Sequence, residues 1–379
     1  MPRSKLARTR RLVVKVGTGT LTDAAGHFDR PNCERLAGEL AEAARKRRVV
    51  LVTSGAIALG AEKLGLQRSR SRPWDIATKQ ACAAAGQPDL VAAWGAALAR
   101  HGVQVAQVLL TAEDLASRKR FLNARRTLAR LLDLGVLPVV NENDTVAVDE
   151  IKVGDNDSLA ALVATCVEAE LVAMLTDVEG MYDRDPRTPG ARLLRSVPRV
   201  TPEIERMAGG AGSERSVGGM ATKVRAAKRL AAQGVGTALL SGRRARALHD
   251  LLAGAPVGTF FAPAPRRLTR RQGWLASAAK GKGVILVDDG ARKALVEQGR
   301  SLLPSGVRSV AGQFRVGDPV DIAVDERRPF ARGLAGYGAD EVRRIAGLKT
   351  GEIERALGYK YVDEIVHRND MVLLEAGQE

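Results

Sequence analysis

The chain has 379 residues, 45% apolar and 27% charged, and a formal net charge of +16. That length accommodates two domains, each with a buried core. No apolar run reaches the roughly 18 residues of a membrane span, no apolar h-region follows the basic start MPRSKLARTRR, and Cys33, Cys82 and Cys166 show no paired spacing; the expectation is a cytoplasmic protein with reduced thiols, not a secreted, membrane or zinc-framework protein.

Strand and helix patterns alternate from the start. Leu12–Val16 reads as a strand buried on both faces, which makes Lys15 inside it conspicuous. A buried ammonium needs solvent or an anion, and the small residues Gly17-Thr18-Gly19-Thr20 that follow would let backbone amides approach phosphate. The loop is not a P-loop and lacks the third glycine of a dinucleotide fingerprint. Leu36–Lys46 reads as a helix, then Val49–Thr53 as a strand running into Thr53-Ser54-Gly55-Ala56. That strand-turn-helix junction suits a carboxylate held by amides and a hydroxyl. It is not GxSxG, and a plain N-cap also explains Ser54.

Gln87–Arg100 follows as a helix, Val103–Leu110 as a strand, Asn123–Leu134 as a helix and Val136–Val140 as a strand. Next comes the acidic, amide-rich stretch Asn141–Asp157 (NENDTVAVDEIKVGDND), unusual in so basic a chain. It is either a solvated loop with a helix cap or a pocket for a ligand bearing an ammonium group. Ser158–Ala169 reads as a helix and Leu171–Thr176 as a strand ending at Thr176-Asp177. The glycine-rich Gly209–Gly219 precedes a helix over Ala221–Gln233, and Gly236–Leu240 is a further strand. Lys223, in the first turn of that helix, opposes the helix dipole unless an anion binds there. Alternating units of this kind imply a mostly parallel sheet covered on both faces, with ligands at the carboxyl ends of its strands.

Ala262–Lys282, rich in Pro and Arg, reads as a linker. Short β-like pieces follow (Val284–Val287, Val307–Phe314, Val320–Ala323, Ala331–Tyr337, Asp370–Leu374), with helices over Ala291–Gln298 and Ala339–Ala346. The expected division is a domain over 1–262, a linker over 263–280 and a small, mostly-β domain over 281–379. All the excess positive charge lies before residue 281, in clusters such as Arg45–Arg48, Arg118–Arg120, Arg243–Arg246 and Arg266–Arg271. A basic surface attracts nucleotides and nucleic acid, but a solvated arginine-rich surface accounts for most of these clusters equally well.

Taken together, VKVGTGTL, LVTSGAIALG, FLNARRTL, PVVNENDTV, EIKVGDNDSLAAL, LTDVEGMYDRDP and VGGMATK resemble the glutamate 5-kinases of the amino-acid kinase superfamily, and VDDGARKAL, GRSLLPSGV, RRIAG and LGY resemble the PUA domain attached to many bacterial members. The resemblance spans nearly the whole chain. It implies a three-layer αβα sandwich with a mostly parallel sheet, followed by a small PUA barrel. It further implies ATP-dependent phosphorylation of the γ-carboxylate of L-glutamate, the first step of proline synthesis, with Mg²⁺, feedback inhibition by proline, a homo-oligomer, and handover to a glutamyl-phosphate reductase.

Carried over by motif, the catalytic group is Lys15 and Lys223, bridging the phosphates, with Asp157 orienting both. Glutamate falls to Ser54 and the Gly55 amide for its α-carboxylate, and to Asp144, assisted by Asn141 and Asn156, for its ammonium. The nucleotide falls to Lys15, Gly17, Thr176, Asp177 and the segment Val217, Gly218, Gly219, Met220, Ala221, Thr222 and Lys223. Val217 stands where the family often has threonine, so a hydroxyl contact there is lost. The resemblance assigns no metal ligands. The competing readings are a kinase acting on N-acetylglutamate or aspartate, and an RNA-binding role through the PUA module. N-acetylglutamate lacks the ammonium that Asp144 would pair with. The tail is near neutral and its aromatics (Phe314, Phe330, Tyr337, Tyr359, Tyr361) are sparse, so no specific RNA binding is expected.

Overall fold

In the computed structural model, the short apolar runs of the first 260 residues become parallel strands joined by crossover helices. The structure describes residues 3–66, 74–147, 156–209, 219–264, 268–326 and 328–374. It divides into two units, Met1–Arg267 and Leu268–Glu379.

The first unit is built on strands β1 (Arg11–Val16), β2 (Arg48–Thr53), β3 (Val105–Leu110), β4 (Leu137–Glu142), β5 (Leu171–Thr176), β6 (Ser196–Val197), β7 (Gly236–Ser241) and β8 (Thr259–Phe261). They form one sheet in the order β3-β4-β2-β1-β5-β7-β8-β6. All neighbours pair in parallel except β7 with β8. Helices Arg30–Ala44, Ala56–Lys63 and Ile76–Ala99 lie together in one layer, and Arg118–Asp133, Asn156–Val167 and Met220–Ala232 in the other. This is a three-layer αβα sandwich. β4 and β5 are buried along their whole lengths, as a doubly covered parallel sheet requires. Leu12, Val14 and Val16 of β1 share a core with Leu36, Leu40, Leu90 and Trp94.

Two expectations need amending, and two strands were not foreseen. The helix expected from Gln87 begins at Ile76, where Asp75 caps it by accepting from the Thr78 amide at 2.8 Å; its Ala-rich first half carries little periodicity. The two- and three-residue strands β6 and β8 are too short to show alternation. The proposed linker contains a helix, Arg270–Ser277, opened by a capping box between Thr269 and Gln272. Trp274 on it is fully buried, and the helix packs on strands of the second unit, so the stretch from Leu268 onward is an ordered part of that unit.

The Ala56–Lys63 and Ile76–Ala99 helices touch backbone to backbone. A Cβ on Gly60 would lie 1.7 Å from the Cys82 carbonyl oxygen, and one on Gly86 would lie 2.1 Å from that of Ala56. Neither contact relaxes by moving a side chain. Gly60→Ala is therefore expected to cost about 3 kcal/mol of stability, at the upper end of overpacking effects, read as a fall in urea midpoint. A midpoint equal to the parent's would show that the helices separate freely.

The second unit holds a five-stranded sheet ordered β10-β9-β11-β12-β13, from β9 (Gly283–Val287), β10 (Val307–Gly312), β11 (Pro319–Ala323), β12 (Pro329–Leu334) and β13 (Met371–Leu373). β9 and β11 are parallel and the other pairs antiparallel. Its core gathers Ile285, Val287, Ile322, Tyr337, Val342 and Ile345. Among the described residues no helix is long and apolar enough to cross a membrane.

Candidate active site

β1 is the switch point of the large sheet. Its two neighbours, β2 and β5, belong to halves of the sheet laid down in opposite directions, which leaves a crevice beyond the strands' carboxyl ends. The chemistry-bearing residues leave the sheet there: Lys15 and Gly17 from β1, Ser54 and Gly55 after β2, Asn141 from β4, and Thr176 with Asp177 from β5. Backbone hydrogen bonds tie these ends together. The Ser54 amide donates to the Val16 carbonyl at 3.1 Å and the Gly17 amide to that of Leu175 at 3.2 Å.

Asp157 is the centre of the first cluster. It lies in the first turn of the Asn156–Val167 helix and is 1% exposed. Lys15 Nζ stands 2.8 Å from its Oδ1, and Lys223 Nζ 3.2 Å from its Oδ2. Thr222 Oγ1 donates to the same Oδ2 at 2.8 Å. Burial opposes ionisation of Asp157, but the two lysines and the threonine outweigh it and hold its pKa below the usual carboxylate value. One carboxylate thus fixes two buried ammonium groups from opposite ends of the first unit's sequence. Lys223 is carried by the Met220–Ala232 helix, whose N-cap Gly219 supplies no side-chain cap. Its first-turn amides suit a phosphate oxygen.

Asn156, the residue before Asp157, holds the second cluster. Its Nδ2 lies 2.7 Å from Ser54 Oγ, 3.0 Å from the Thr53 carbonyl oxygen and 3.1 Å from Asn141 Oδ1. Gly55, between Ser54 and the next helix, has φ +112°, where a side chain would strain the turn. Asp144 stands apart on the loop after β4. It is 8% exposed and has neither an ion-pair partner nor a hydrogen-bond partner among the described residues. Burial pushes its pKa up to about 6. A carboxylate so placed gains most from an incoming cation.

Thr176 Oγ1 donates to Asp177 Oδ1 at 2.8 Å, and Asp177 faces Gly19, where a Cβ would lie 3.5 Å from that of Asp177. Val217 and Gly218 lie outside the described residues, as do Asp149, Glu150 and Asp155 of the acidic stretch. The structure therefore joins Lys15, Asp157, Thr222 and Lys223 into one cluster and Ser54, Asn141 and Asn156 into another, with Asn156-Asp157 as the hinge between them. Among the described residues, neither Asp144 nor Thr176-Asp177 is joined to these by a direct side-chain bond. Sequence reasoning missed Gln87, whose Oε1 accepts from Asn141 Nδ2 at 2.8 Å. A lone glutamine amid alanines, flanked by Gly86 and Pro88, was the signal available.

Among the described residues, no three His, Cys, Asp or Glu side chains gather as a metal cage. Among the described residues Asp157 is the one carboxylate in the lysine cluster, and it is already shared by two ammonium groups. The described residues thus offer no preformed cage of three such ligands for Mg²⁺.

Residues 10–240 match the amino acid kinase family and residues 283–357 the PUA domain. The chain is 79% identical, over the full length of both, to glutamate 5-kinase of Anaeromyxobacter dehalogenans (strain 2CP-C). It is 53% identical to glutamate 5-kinase of Myxococcus xanthus (strain DK1622), over 98% of each chain. Among solved structures, carbamate kinase from Giardia lamblia bound to AMP-PNP is similar with a TM-score of 0.50 at 20% identity, covering 68% of this chain and 99% of that one. At that identity the likeness concerns the fold alone.

Proposed function

The chain belongs to the amino acid kinase family, in its glutamate 5-kinase branch with an appended PUA domain, and from this premise we propose how its residues divide the work. The reaction moves the γ-phosphoryl group of ATP onto the γ-carboxylate of L-glutamate, giving ADP and γ-glutamyl phosphate. A carboxylate oxygen attacks phosphorus as the bond to the β-phosphate oxygen breaks. The acceptor is already ionised at neutral pH, so no general base is needed. What remains is alignment of two anions and neutralisation of the transferred charge.

The observation that carries this reading is Asp157 gripping Lys15 and Lys223 next to the Ser54–Asn156–Asn141 cluster. The lysines flank the phosphates, with the amides of Gly17 and of Gly219–Ala221 on their oxygens. Thr176-Asp177 borders the nucleotide. Thr222 steadies Asp157. Ser54 and Gly55 receive the α-carboxylate of glutamate, and Asp144, Asn141 and Asn156 receive its ammonium. Magnesium would enter with the triphosphate and would supply further neutralisation of the phosphate charge beside the two lysines. The acyl phosphate is a labile mixed anhydride, so a reductase that consumes it promptly is the partner its chemistry calls for.

Hydroxylamine trapping of the product tests the chemistry, with ADP release compared among glutamate, N-acetylglutamate and aspartate. Hydroxamate is expected with glutamate and not with N-acetylglutamate, which leaves Asp144 buried and unpaired. Comparable turnover of the acetylated substrate would remove Asp144 from the ammonium site.

A further inference from the structure

The second cluster extends beyond the residues that the reaction itself requires. Asn156 Nδ2 faces Thr53 O, Ser54 Oγ and Asn141 Oδ1, and Asn141 Nδ2 donates to Gln87 Oε1. The amide oxygens of Asn141 and Gln87 accept from the amide nitrogens of Asn156 and Asn141 in turn, so the three orientations are not independent. Thr53 O is a backbone carbonyl and only accepts, which forces Asn156 to turn its NH₂ that way. Asn141 must then present oxygen to Asn156 and nitrogen to Gln87. Gln87 closes the series as an acceptor.

This direction has two consequences. Asn156 Nδ2 has two hydrogens to share among three acceptors, and Ser54 Oγ is the nearest of them at 2.7 Å, so Ser54 accepts there and its own hydrogen is available to donate elsewhere. Asn156 Oδ1 is buried with no partner among the described residues, and so is Gln87 Nε2. The relay thus offers a hydroxyl donor and a carbonyl acceptor together, matching the carboxylate and ammonium of an α-amino acid. Gln87 is held in place by its backbone: it follows Gly86, which is closed against the Ala56 carbonyl and Gly60, and precedes Pro88.

We propose that Gln87 is a positioning residue that sets, through Asn141 and Asn156, the hydrogen-bond polarity of the subsite for the zwitterionic end of the acceptor. It acts through Ser54 and Asn156 without touching the reacting atoms. The proposal rests on the pocket assignment given above.

Four variants test it: Gln87→Met, Gln87→Glu, Ser54→Ala and the double variant Gln87→Met/Ser54→Ala. Removing the accepting oxygen strands a buried amide, so Gln87→Met is expected to raise KM for glutamate about tenfold, with kcat and KM for ATP within about threefold of the parent. Gln87→Glu keeps an accepting oxygen and recovers most of that loss, which separates the bond from mere packing. Because Gln87 acts through Ser54, the double variant should be little worse than Ser54→Ala alone. Multiplied effects in the double variant overturn the proposal. So does a KM for ATP that rises in step with that for glutamate. If Ser54→Ala raises KM for glutamate and Gln87→Met does not, the relay fails while the pocket stands. A parent-like Ser54→Ala overturns both.

Discussion

Replacing Lys223 with methionine is expected to lower kcat by about 10²–10³, the range seen when one preorganised electrostatic stabiliser is removed. Methionine keeps the apolar stem where Lys223 is 7% exposed and deletes only the ammonium. KM for glutamate should change little, because the charge is needed most as the phosphoryl group moves between two anionic oxygens. Asp157 would retain Lys15 at 2.8 Å and the Thr222 hydroxyl, so the cluster should survive with its carboxylate ionised. Lys15→Met is expected to behave alike from the other side. Single-turnover measurements at saturating ATP and glutamate separate the chemical step from binding. A kcat within tenfold of the parent would falsify the assignment of Lys223 to the transferred phosphoryl group.

Asp144→Asn should separate stability from function. Losing the carboxylate that receives the ammonium is expected to raise KM for glutamate by about 100-fold, within the range for breaking a buried charge pair, and to leave KM for ATP unchanged. The parent enzyme should itself lose affinity for glutamate as pH falls through about 6, where Asp144 protonates. The stability effect has the opposite sign. Asp144 has a raised pKa in the folded state, so between pH about 4 and 6 the native protein binds more protons there than the unfolded chain does. Stability is then fully present below that window and is lost as pH rises through it. At pH 7 the buried charge costs on the order of 2–3 kcal/mol, the equivalent of a shift from 3.8 to about 6. The ligand-free asparagine variant should therefore melt higher than the parent at pH 7.5 and no higher at pH 4. Glutamate should stabilise only the parent. Thermal unfolding with and without glutamate at both pH values checks this, and a lower melting point for the variant at pH 7.5 would sink the account.

Much of this was open to inspection in the residues. Lys15 announced itself as a charge in an apolar strand, and the structure shows why it is tolerated: Asp157 waits for it, in the first turn of a helix far along the chain. Ser54 and Gly55 were legible as a strand-turn-helix junction because parallel strands end in such turns, and the φ of Gly55 explains why that residue has no side chain. The supposed linker was misread because its arginines and prolines masked Thr269-Arg270-Arg271-Gln272, a capping box in front of a buried tryptophan.

Local pattern alone determined the alternation of strands and helices, hence the parallel sheet and the end of it where ligands bind. Periodicity and turn chemistry are short-range properties and need no knowledge of distant residues. Only the tertiary structure decided that Thr222 grips the same carboxylate oxygen as Lys223, that Gln87 stands behind Asn141, and that Asp144 is buried without a cation among the described residues. Hydrogen-bond direction and desolvation depend on what lies within a few ångströms in space, and those neighbours come from strands and helices scores of residues apart in the chain.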